Sequence, residues 1–101
     1  MKQLTEADFE SHTAAGTVLV DFHAPWCAPC RQMEPILDAF AGEATGVEVH
    51  KVDVDAEPGI AERYGVRGLP TLVLFKDGQP VDMRTGFQAI HQIRGFVAAH
   101  A

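Results

Sequence analysis

Apolar and polar positions alternate with two different periods along the chain. Thr5 and Asp8 stand at capping-box spacing, with Asp where Glu is usual, and Leu4 and Phe9 sit where a hydrophobic staple would hold a helix start. A first helix over about 6–15, closed by Gly16, follows from them. Residues 17–22, TVLVDF, form a β-branched apolar run of the kind a strand buried on both faces shows, interrupted only by Asp21. Met33, Ile36, Leu37, Phe40, Ala41 and Ala44 then recur at helical spacing, predicting a long amphipathic helix from Cys27 or just after it to near Gly46, kinked at Pro35. The run 47–55, VEVHKVDVD, reads as a strand whose apolar phase slips between Val49 and Val52, as a central strand or a bulge allows. Lys51 shares the parity of Val47 and Val49, which turns its stem inward.

Pro58 opens a short helix carrying Ile60, Ala61 and Tyr64, with Gly65 as its stop. Two strands, 71–76 and 79–85, separated by Asp77-Gly78, give the strongest hairpin signal in the chain. Ile90, Ile93 and Val97 mark a last helix, weakened by Gly95. The order α-β-α-β-α-β-β-α predicts an α/β fold, a mixed sheet with helices on both faces. No repeat, linker or low-complexity run divides residues 1–101, so a single domain is expected.

Composition narrows the function classes. With 101 residues the chain is long enough to bury a core without disulfides or metals. A net charge of −6, with eight scattered Lys and Arg, argues against a nucleic-acid footprint. No apolar stretch is long enough to span a bilayer, and the first residues lack the apolar core of a secretory signal. The expected compartment is therefore the cytoplasm. There, a Cys-x-x-Cys pair is more often catalytic or metal-binding than structural.

Cys27 and Cys30, in FHAPWCAPCRQM (22–33), are the only cysteines. Pro29 is tolerated in a helix's first turn and not deeper, which places Cys27 at the helix start, where free N–H groups and the positive end of the dipole favour a thiolate. Positions three apart on a helix bring their Cβ atoms to roughly 5–6 Å, within reach of a disulfide. The same turn can thus hold dithiol or disulfide. Trp26 before the pair, Ala28-Pro29 inside it and a strand-to-helix junction beneath it favour a redox pair over half a metal site or an inert pair. His12, His50, His91 and His100 show no ligand spacing and read as surface or incidental, so no metal is expected.

Beyond the cysteines, VDFHAPWCAPC (20–30), KVDVD (51–55), YGVRGLPTLVLFKDG (64–78) and the glycine of RTGF (84–87) together resemble the thioredoxin family across nearly the whole chain. The resemblance implies the thioredoxin fold and protein disulfide reduction. It implies Cys27 as attacking and Cys30 as resolving thiol, cycling through a mixed disulfide. Asp21 is similar in position to the family's buried acid; desolvation should raise its pKa and suit it to exchange the Cys30 proton, with Lys51 as electrostatic partner. The alternative is an Asp21–Lys51 pair with a structural role alone. Pro70 resembles the family's cis proline, which leaves the Leu69 backbone free for an extended substrate peptide. Trp26, Pro29, Gly68, Leu69, Pro70, Gly86 and Phe87 would then make a shallow apolar docking surface.

Two departures stand out. Ala28 replaces the family's usual Gly and, with Pro29, tunes the potential through the first helical turn. His23 replaces an aromatic residue; as a cation it would support the Cys27 thiolate, or it is a solvated loop residue and no more. By the same resemblance the electron source is an NADPH-dependent flavoprotein, thioredoxin reductase, and the partners are disulfide-containing proteins. The expected form is a monomer with no cofactor beyond the Cys27–Cys30 disulfide. Competing readings are a disulfide oxidase or isomerase on the same fold, whose members commonly carry His between the cysteines, and a binding module in which two chains share a four-thiolate metal or cluster.

Overall fold

A computed structural model describes residues 1–101. Five strands and four helices follow in the order β1 (Lys2–Gln3), α1 (Phe9–Thr13), β2 (Thr17–His23), α2 (Ala28–Glu43), β3 (Val47–Asp53), α3 (Pro58–Arg63), β4 (Thr71–Lys76), β5 (Gln79–Thr85) and α4 (Ile90–Ala98). The strands make one mixed sheet in the order β1-β3-β2-β4-β5. β3 runs parallel to β1 and β2, while β4 is antiparallel to β2 and β5. The α/β expectation holds, with one addition: β1 is a two-residue exposed edge strand too short to show any period.

Alternation along the central strands divides the core in two. Val18, Val20 and Phe22 of β2, with Val73 and Phe75 of β4, pack against Leu4, Phe9 and Ile60 on the α1/α3 face. Leu19, Leu72 and Leu74 point the other way, onto Met33, Leu37 and Phe40 of α2 and Ile93 and Phe96 of α4. Full burial of each such side chain contributes roughly 1.5–3 kcal/mol before entropy is counted. β3 resolves its slipped phase as a strand paired on both sides: Val49 belongs to the α2/α4 layer and Val52 to the α1/α3 layer. Asp21 therefore faces α2, on the same side as Leu19.

Several boundaries differ from the predicted ones for local reasons. Thr5 N–H donates to Asp8 Oδ1 at 2.7 Å, the reciprocal half of a capping box, yet turns occupy 6–8 and the helix starts at Phe9. That bond holds the Asp8 carboxyl below its usual range. The helix also ends early: the Thr13 hydroxyl donates back to Phe9 C=O at 3.0 Å, a contact that weakens helix ends. α2 runs unbroken through Pro35, because Met33, Leu37 and Phe40 anchor both halves to the core. β3 stops at Asp53, two residues short of expectation, since Asp53 Oδ1 takes the N–H groups of Asp55 and Ala56 and turns the chain.

At the hairpin, Asp77 and Gly78 both have positive φ, +50° and +86°, as a two-residue turn of this hand requires. A register shift between Leu74 and Phe75 leaves Val81 without an opposite residue. His100 is not incidental: its Nε2 meets Asp82 Oδ2 at 2.8 Å and its carbonyl accepts from Lys76 Nζ, tying the end of α4 to the hairpin. No helix is long and apolar enough to cross a membrane.

Candidate active site

Cys27 is the N-cap of α2, in extended conformation, with Ala28 and Pro29 opening the helix. Its Sγ accepts the N–H of Cys30 at 3.3 Å, while its own N–H donates to Ala24 C=O at 3.1 Å. Sulfur thus occupies the position where a helix start offers unpaired donors. The two cysteines form a disulfide across Cα atoms 5.2 Å apart, and both side chains are buried, packed with Ala24, Val54 and Leu69. Arg31, in the helix's first turn, donates from Nη1 to Pro25 C=O at 2.7 Å and clamps the preceding loop.

Beside the disulfide lies an open groove of about 490 Å³, lined by Trp26, Cys27, Ala28, Pro29, Val54 and Leu69 together with Ala61, Val66 and Arg67. Trp26 is 66% exposed, and its Nε1–H donates to Asp55 Oδ2 at 2.7 Å, which fixes the indole against the groove. The Leu69–Pro70 peptide is cis. Neither the N–H nor the C=O of Leu69 has a partner within the chain. Of the expected docking residues, Trp26, Pro29 and Leu69 line this groove, whereas Gly68, Pro70, Gly86 and Phe87 stand outside it. Pro70 is buried with its carbonyl taken by Gly86 N–H at 2.8 Å, and Phe87 is exposed. Gly68 is packed so closely that a Cβ there would meet the Thr85 methyl at 2.8 Å.

Behind the disulfide is a second cavity, about 340 Å³ and polar, bounded by Cys30, Asp21, Glu34, Lys51, His23 and Gln3 among others. Asp21 is 1% exposed, and its Oδ1 has no hydrogen-bond partner. Burial, followed by the nearby Glu34 charge, pushes its carboxyl up to about 7, with Lys51 opposing. Asp21 and Lys51 are register partners across β2 and β3, yet they are not paired. Lys51 Nζ instead donates to Glu34 Oε1 at 2.6 Å. The alternative, a structural Asp21–Lys51 pair, is thus not formed, and Lys51 acts on Asp21 by charge alone; a carboxylate on α2 reaches the ammonium instead, and that hydrogen bond lowers the Glu34 pKa.

His23 is also corrected. It ends β2 rather than lying in a solvated loop, is half-buried, and meets Gln3 Oε1 through Nε2 at 3.1 Å. Burial and then Lys51 lower its pKa, which favours a neutral ring at pH 7, and it faces the Asp21 cavity rather than the groove. Both its lowered pKa and its place in the Asp21 cavity weigh against cationic support for the Cys27 thiolate. Sequence reasoning missed Asp55, Arg67 and Glu34. Asp55 was signalled only by an Asp-rich strand end, and Glu34 by its place one turn after Cys30.

Comparison with known proteins gives the family. The thioredoxin family model matches residues 1–99. Thioredoxin of Staphylococcus aureus is 47% identical over 87 residues, covering 85% of this chain and 84% of its own. A mutant thioredoxin from Halobacterium salinarum NRC-1 superposes with a TM-score of 0.89 at 35% identity, covering 98% of this chain and 88% of that one. On these grounds the chain belongs to the thioredoxin family and is a protein-disulfide oxidoreductase.

Proposed function

We propose that the chain works as a general protein-disulfide reductase, a single thioredoxin domain over residues 1–101. The observation that carries this reading is the placement of Cys27 Sγ on the Cys30 N–H at the start of α2, between an apolar groove and a buried acid. In the reduced chain the Cys27 thiolate attacks one sulfur of a substrate disulfide; a Cys27–substrate S–S bond forms and the second substrate sulfur leaves as thiolate. Asp21 accepts the Cys30 proton through the polar cavity. The Cys30 thiolate then attacks Cys27 Sγ, closing the Cys27–Cys30 disulfide and expelling the other substrate sulfur. Two electrons pass to the substrate and the pair is left oxidised.

Trp26, Pro29 and Leu69 supply the apolar docking wall, and the free Leu69 backbone groups pair with an extended substrate segment. Pro70, Gly68, Gly86 and Phe87 support or extend that wall from outside the groove. Ala28 and Pro29 set the first helical turn and so the relative stability of the two redox states. Lys51 acts on Asp21 at a distance, and His23 tunes the same cavity as a neutral ring. The disulfide is the whole redox centre, without an added cofactor or metal. Electrons return from an NADPH-dependent thioredoxin reductase, and the chain acts as a cytoplasmic monomer on disulfide-containing proteins.

Equilibration of the pair against a glutathione or dithiothreitol buffer tests the direction of the reaction. The expected potential is near the about −270 mV already established for thioredoxin. A value between about −120 and −180 mV would instead make the chain an oxidase or isomerase.

A further inference from the structure

Glu34 lies one turn beyond Cys30 on α2, on the wall of the cavity that holds Asp21. Its Oε1 receives Lys51 Nζ at 2.6 Å. Lys51 sits opposite Asp21 in the β2/β3 register, and Asp21 Oδ1 is buried without a partner. An ammonium and an unpaired carboxyl therefore share one cavity and are kept from pairing by a third residue. We propose that Glu34 is a positioning residue of the redox cycle: by holding the Lys51 ammonium, it keeps the Asp21 carboxyl unpaired and able to carry a proton beside Cys30.

The remaining groups around Asp21 do not supply this control. β2 contributes His23, whose ring burial and Lys51 keep toward the neutral form. β3 adds Asp53 at the cavity rim, and β4 presents Leu72, the apolar register partner of Asp21. Gln3, beside β1's end of the cavity, is uncharged. On α2, Cys30 is in the disulfide and the Arg31 guanidinium is engaged by Pro25 C=O. Glu34 and Lys51 are the charges that act most on the Asp21 carboxyl, in opposite senses. Without Glu34, both changes run the same way: a repelling carboxylate is lost, and the freed ammonium has the buried acid as an acceptor. Asp21 then ionises at lower pH and stays a carboxylate that no longer takes a proton near neutrality.

The inference rests on the reading of Asp21 as the proton acceptor of Cys30, so the test separates the two. The Asp21 carboxyl is titrated by ¹³C NMR in the oxidised full chain, in Glu34→Gln, in Lys51→Met and in the double variant. Glu34→Gln should lower the Asp21 midpoint by about 1 pH unit or more, the size of effect an opposite charge brought close exerts. In the Lys51→Met background the same change should move it far less. An unmoved midpoint, or an equal fall without Lys51, overturns the role of Glu34. The pH profile of mixed-disulfide release should move with the midpoint in Glu34→Gln; a profile that stays in place overturns the catalytic reach of Glu34. Asp21→Asn serves as the separate control, because release as fast as in the parent chain removes the proton-acceptor reading itself while leaving the midpoint result standing.

Discussion

Replacing Asp21 by Asn removes one ionisable group from a site where ionisation is costly. The carboxyl is 1% exposed, has one oxygen without a partner, and is pushed up to about 7 from an ordinary 3.8, first by burial and then by Glu34. A group that binds its proton more tightly in the folded chain makes stability fall as pH rises. Below pH 3.8 both states are protonated and the group contributes no penalty. Between 3.8 and about 7 the unfolded chain ionises while the folded one does not, and the penalty grows; above about 7 it is constant. At about 1.36 kcal/mol for each pH unit, that interval corresponds to about 4 kcal/mol. Asn has its own cost of burial, but that cost does not change with pH. The expected result is therefore a difference of differences: the stability of Asp21→Asn relative to the parent rises by about 4 kcal/mol from pH 4 to pH 8. Urea unfolding of the oxidised proteins across this range measures it. Stability curves that stay parallel from pH 4 to 8 would show that Asp21 ionises normally, and the reasoning from burial would be wrong.

Two glycines should respond in opposite directions to the same substitution. Gly95 lies inside α4 with nothing within 4 Å of an added Cβ, so Gly95→Ala should stabilise the chain by about 0.8–1 kcal/mol in urea unfolding. Gly78 holds φ +86° in the hairpin turn with only ordinary contacts at 3.7 Å, so Gly78→Ala should destabilise by about 1–2 kcal/mol from backbone conformation alone. Ala28→Gly removes up to about 1 kcal/mol of helix preference from the first turn of α2; equilibration with glutathione should show a change of no more than about 20 mV. Trp26→Ala strips the groove of a large, exposed apolar side chain. It should raise KM for a protein disulfide about tenfold with little change in kcat, and an unchanged KM would remove the indole from docking.

The elements that were legible from the sequence are those in which local chemistry and tertiary environment agree. Asp77-Gly78 demands positive φ twice, and the chain supplies it. The 3.6-residue period of Met33, Leu37 and Phe40 becomes a buried helix face, and the slip between Val49 and Val52 becomes the two faces of a doubly paired strand. What was not legible depends on partners far along the chain. Lys2 and Gln3 become a strand only because β3 lends them a parallel edge, at Lys2 with His50 and Gln3 with Lys51. α1 is shorter than its pattern: turns occupy 6–8, and the Thr13 hydroxyl competes for the Phe9 carbonyl.

The same division runs through the site. Cys27, Cys30 and Pro29 reveal themselves by spacing, since a helix start imposes its geometry over a few residues. Asp21 reveals itself by being acidic in an apolar strand. The choice between two carboxylates for one ammonium is not a local property: Glu34 and Lys51 are 17 positions apart and meet only because α2 crosses the β2/β3 pair. Opposite charge in adjacent strand positions made Asp21 the obvious partner for Lys51. Solvent reverses that preference, because Glu34 keeps 43% of its side chain exposed while Asp21 has to surrender nearly all its hydration to ionise. An ammonium placed between a hydrated carboxylate and a buried one pairs with the hydrated group, and the buried one is left to exchange its proton near neutrality. On the proposed cycle, the proton acceptor that the resolving thiol needs is thus tuned from Glu34, a partly exposed residue one turn beyond Cys30.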